Sequence, residues 1–138
     1  MAFAGINYLA VFLAAVASFV FGAIWYMALS RQWQRAAGLE GRLPGRKGFA
    51  AALPFIISFV GELIMAHVLA GAVGHLSAGV TLTNALISAL ILWAGFVATT
   101  TTIAHRYQMA PWSLTFIDGG HWLGVMLVQG LVIGLFGV

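Results

Sequence analysis

The chain has no cysteine, which excludes disulfides, thiolate metal sites and cysteine nucleophiles. Charge is almost as scarce. Asp, Glu, Lys and Arg together make up 7% of the residues, where soluble domains carry about one quarter. The three acidic residues are Glu40, Glu62 and Asp118. Of the six basic residues, Arg31, Arg35, Arg42, Arg46 and Lys47 fall in one short stretch, and Arg106 stands alone. That placement reads as an orientation signal, not a nucleic-acid surface. Residues 1–29 contain no Lys or Arg and a long apolar run, so they read as a retained first membrane span and not as a cleavable signal peptide. There is no H-E-x-x-H, Glu-x-x-His or G-x-S-x-G pattern and no Gly-rich phosphate loop.

Apolar residues fill the space that charge leaves. They make up 62% of 138 residues, enough for four spans of about 20 residues each with no soluble catalytic domain beside them. The expected architecture is all-α: a single transmembrane domain over 1–138, with four antiparallel helices in a compact bundle. The spans fall at 6–29, 49–73, 82–104 and 114–136. Residues 30–48 form a basic loop that the positive-inside rule places in the cytoplasm, with both termini on the other side. Ser30 to Ala37 can extend the first helix as a short interfacial piece that stops at Gly38. The connection to the second span holds Gly41, Pro44 and Gly45, and Pro54 either begins that span or kinks its first turn.

Small residues form ridges. Ala10, Ala14, Ser18 and Gly22 recur every four residues on the first span, and Gly120-x-x-x-Gly124 and Gly130-x-x-x-Gly134 lie on the last. Such spacing lets helix backbones approach closely. On the third span Asn84, Ser88, Gly95, Thr99 and Thr102 form one stripe at 100° per residue, with Trp93, Phe96 and Val97 off it. Thr81 or Thr83 is the expected cap of the third span, and Ser113 that of the fourth.

Polar side chains inside spans are the candidate site. Glu62, Thr99, Thr102, His105, Asp118 and His121 can all occupy the cytoplasmic half of the bundle. At the helical rise, Asp118 and His121 lie about 6 and 10 Å into their span and Glu62 about 12 to 18 Å into its own. Asp118 and His121 share a face, and Gln129 falls on the same side deeper in. Ionisable groups in hydrocarbon cost several kcal/mol unless paired. The expected pairs are Glu62 with His121, and Asp118 with His105 or Arg106. They fit either register-setting bonds between helices or a site for a proton, cation or ligand. Glu62, Asp118 and His121 are chemically suitable metal ligands, but no ligand spacing supports a metal site and no cofactor is expected. His67 reads as interfacial and His75 as part of a solvated outer loop over 71–79.

Three pieces resemble a family of bacterial four-span membrane proteins, domain of unknown function 1761. They are Gly22-Ala-Ile-Trp-Tyr26 followed by Trp33 and Gly38-Leu39, then Leu92 to Thr100, then Asp118-Gly-Gly-His121. In the last piece the family pattern has Asn or a similar residue, Gly, an aromatic and His. Asp118 and Gly120 depart from it, which makes an acidic role at Asp118 particular to this chain. The resemblance implies a small multi-pass protein of the bacterial inner membrane and brings no activity with it. The leading functional expectation is a structural or accessory subunit in a homo-oligomer or larger membrane complex, with the lipid bilayer as its surroundings. The rivals are a small proton- or cation-handling carrier, and a membrane cofactor- or metal-binding protein. An enzyme is the less favoured reading.

Overall fold

A computed structural model describes residues 3–42, 45–76 and 78–137. Pro44 lies outside the described residues. Among the described residues six α-helices follow one another: α1 (Tyr8–Ala28), α2 (Ser30–Ala36), α3 (Phe49–Leu76), α4 (Leu82–Leu92), α5 (Thr99–Tyr107) and α6 (Trp112–Phe136). A π-helical turn, Trp93–Ala98, joins α4 to α5. There is no strand among the described residues. Four helical stretches are long and apolar enough to cross a membrane: Tyr8–Ala28, Phe49–Leu76, Leu82–Tyr107 and Trp112–Phe136. The protein is a multi-pass membrane protein with an all-helical bundle.

Local chemistry sets the helix ends. Asn7 accepts a hydrogen bond from the Ala10 amide at 3.1 Å, and Thr81 caps α4 by accepting from the Asn84 amide. Gly38 ends α2 at φ +70°, a conformation that costs glycine nothing. Pro111, not Ser113, stands at the start of α6; its fixed φ suits the extended residue before a helix. The second span runs three residues past its expected end, to Leu76. Gly74 is tolerated because an apolar phase leaves the backbone no other hydrogen-bond partner, so His75 belongs to the last turn of the helix and not to a loop. Pro54 sits inside α3, where it leaves the Ala50 carbonyl without its usual helical donor.

The helices are arranged as a ring in which α6 packs on α1 and α4, and α3 on α1 and α4. The glycine and alanine ridges are consumed in these contacts. Ala10, Ala14, Ser18 and Gly22 are buried along α1. Gly120 and Gly124 receive the rings of Trp25 and Phe21, while Gly130 and Gly134 lie against the α4 backbone at Ala85 and Leu82. The core is built from Val11, Ala14, Ala66, Leu69, Val73, Ala85, Ala89, Met126 and Ile133. Its small side chains permit close approach, and dispersion replaces a hydrophobic force that lipid does not supply.

The third span departs from the expected stripe. Ala85, Ser88 and Ala89 face the core, but Gly95 and Thr99 are exposed, and Trp93 and Val97 pack inward instead. The π turn is the reason. One extra residue per turn shifts the phase of everything beyond it, so Phe96, which an uninterrupted helix would bury beneath Leu92, is 68% exposed.

Candidate functional site

The polar residues of the spans do not form one cluster. They form two, with His121 between them.

The deeper cluster joins three helices. Glu62 on α3 is 3% exposed and Gln129 on α6 is fully enclosed. Ser18 on α1 lies between them. Its Oγ is 2.9 Å from Glu62 Oε2 and 3.1 Å from the Ala15 carbonyl. The Gln129 amide donates one N–H to Ser18 Oγ and the other to the Glu62 backbone carbonyl, both at 3.0 Å. Because a carbonyl only accepts, the second bond fixes which end of the amide is nitrogen. Gln129 Oε1 is left buried without a partner. At the helical rise these residues lie about 15 to 25 Å from the end of the bundle that carries α2 and the α5–α6 turn, near the middle of a bilayer.

The second cluster sits at that basic end. The Tyr26 hydroxyl donates to Asp118 Oδ1 at 2.7 Å, and His105 Nε2 lies 3.6 Å from Asp118 Oδ2. His105 Nδ1 is 2.9 Å from Thr115 Oγ1, which also accepts from Arg106 Nη2 at 2.7 Å. The Arg106 guanidinium stacks 3.8 Å over the Trp112 ring. Two indoles hold α6 in place: Trp25 Nε1 donates to the Ile117 carbonyl at 3.1 Å and Trp93 Nε1 to that of Gly119 at 3.0 Å.

His121 belongs to neither cluster. Its ring is boxed by Phe21, Tyr26 and Trp122, and its buried Nδ1 has no hydrogen-bond partner among the described residues. The expected Glu62–His121 pair is therefore not formed. His121 faces Gly22, where the small α1 ridge lets α1 and α6 close, while the Glu62 carboxyl is taken by Ser18. The expected Asp118–His105 contact is present, and Arg106 turns to Thr115 instead. Thr99 and Thr102 join no cluster. Their hydroxyls donate back to the carbonyls of Gly95 and Ala98, at 2.8 and 2.7 Å, and supply bonds to the displaced ladder of the π turn. His67 stacks against Phe3 and Tyr8 at the opposite end.

Several participants carried little signal in the sequence. Ser18 read as one more small residue in a ridge. Tyr26 and Trp25 read as interface rings, and Thr115 had no distinguishing context. Only tertiary geometry shows that each supplies a donor or acceptor to another helix. Chemically, the deep cluster is a clasp between α1, α3 and α6, and the shallow one is a chain of proton-bearing groups around one carboxylate. Among the described residues no three His, Asp or Glu side chains gather closely enough to share a metal ion.

Residues 9–134 match the model of a family described as "Protein of unknown function (DUF1761)". The match covers nearly the whole chain, so the protein belongs to this family. Neither a curated protein nor a solved structure matches it.

Proposed function

We propose that this member of the family is a structural or accessory subunit of the bacterial inner membrane, working in a homo-oligomer or a larger membrane complex. One observation carries the reading: every residue from Ala52 to Ser58 of α3 is exposed. Helices α1 and α6 bury a face along most of their length; this part of α3 buries none. A partner helix here would cover Ser58 and Pro54 together with Phe55 and Ile57. The glycine ridges of α1 and α6 are already occupied within the chain, so they are not free to seat a partner. On this reading the basic connection at 30–48 faces the cytoplasm and both termini face outward, as the positive-inside rule suggests.

The test separates assembly from folding. Ala52→Trp and Ser58→Leu should at least halve the recovery of a higher-mass species in mild detergent and leave the melting temperature of the monomer in place. Gly22→Leu should lower the melting temperature itself. A chain that is monomeric both in detergent and by cross-linking in membranes would end the proposal.

A second reading has its own observation. His121 Nδ1 and Gln129 Oε1 are both buried and unpartnered, between and within the two clusters. A proton- or cation-handling carrier would use such groups with Glu62 and Asp118. It predicts that Glu62→Gln and His121→Ala abolish flux in proteoliposomes, and unchanged flux would dismiss it.

A further inference from the structure

We propose that Arg106 holds the phosphoryl group of an anionic membrane lipid whose acyl chain lies along Trp112 and Phe116. The guanidinium is already set for such a ligand. It lies over the Trp112 ring at 3.8 Å, and Thr115, itself buried, takes Nη2 at 2.7 Å. Among the described residues Nε is shielded with no partner, and Nη1 makes no hydrogen bond. No carboxylate among the described residues forms an ion pair with it: Asp118 is held by Tyr26 and His105, and Glu40 by Arg35. A half-buried cation lacking a counter-ion, held by its stack and by Thr115 so that Nη1 is left to donate, suits a phosphodiester better than a mobile lysine would.

The surroundings point to a lipid and not to a free anion. Arg106 sits at the turn between α5 and α6, the level at which headgroups meet a helix end. Trp112, beside it at the start of α6, and Phe116, one turn deeper, stand with ring centroids 6.4 Å apart and are 55% and 73% exposed. That apolar ridge gives an acyl chain a surface and gives inorganic phosphate nothing. The same end carries Arg31, Arg35, Arg42, Arg46 and Lys47. Their potential favours a headgroup with net negative charge and disfavours one with its own ammonium.

The test is native mass spectrometry of the full chain in detergent containing equal amounts of phosphatidylglycerol and phosphatidylcholine with matched acyl chains. Wild type should retain the glycerol lipid about five-fold over the choline lipid, the weight of one cation at an anionic surface. Arg106→Gln should remove most of that preference, and Arg42→Gln, in the exposed connection, should change it far less. Trp112→Leu, which keeps the charge and removes the stack, should also lower the ratio; it decides the matter if Arg106→Gln does not fold. An unchanged ratio in Arg106→Gln, or equal retention of both lipids by wild type, overturns the proposal. So does displacement of the lipid by inorganic phosphate as readily as by short-chain phosphatidylglycerol, which would mark a free-anion site.

Discussion

Gly22 and His121 are in direct contact: a methyl group on residue 22 would lie 2.7 Å from His121 Nε2. The imidazole has nowhere to retreat, because Phe21, Tyr26 and Trp122 surround it. Gly22→Ala should therefore force α1 and α6 apart where their packing is most extensive. Overpacking of this kind costs about 1 to 3 kcal/mol. Thermal unfolding in detergent should show a clear drop in melting temperature. Gly61→Ala is the matched control, since a methyl there meets nothing within 4 Å. It should be neutral or stabilising, as expected for glycine replaced by alanine in a helix. Equal effects of the two changes would mean that the α1–α6 contact is not as close as described.

Counting protons in the deep cluster leads to a second prediction. Ser18 has one hydroxyl proton and two contacts that call for one, the Ala15 carbonyl and Glu62 Oε2. One of its two lone pairs already accepts from Gln129. Both contacts close if Glu62 is a carboxylic acid that donates to Ser18. No cation among the described residues pairs with Glu62 either. The expected outcome is a protonated-carboxyl infrared band at neutral pH that vanishes in Glu62→Gln, with that variant keeping wild-type stability. Glu62→Ala should lose about 1 to 3 kcal/mol, the cost of a cavity with unpaired neighbours. A Glu62→Gln protein as unstable as Glu62→Ala would show that the carboxylate, not the acid, is the native form.

The coarse fold was legible because composition and apolar length are one-dimensional signals. Four spans, the α2 extension ending at Gly38 and the ridge at Ala10, Ala14, Ser18 and Gly22 can all be read by counting. The candidate site was legible only in part. Asp118 and His105 come together because both lie near adjacent helix ends, where depth alone predicts contact. Glu62 and His121 do not, because depth says nothing about which neighbour a helix face meets. The third span misled for a different reason: the angular stripe assumed 3.6 residues per turn, and the run from Trp93 to Ala98 does not keep that period. No residue in the run announces the change.

That π turn determines where His105 points, which gives the last prediction. Removing Gly95, which is exposed and meets no neighbour, should let the segment relax to an α-helix. Each residue advances a helix by about 100°, so α5 would rotate by about that angle relative to α4. His105 would then leave Thr115, 2.9 Å away in the native arrangement, and Asp118 would lose its imidazole. Because the chain has no cysteine, the pair can be read without background. With His105→Cys and Thr115→Cys in the full-length chain, mild oxidation should protect both thiols from maleimide labelling. In the same protein lacking Gly95, both should label. Equal protection in the two would show that α5 keeps its orientation without the extra residue, and that the π turn does not set the register of the shallow cluster.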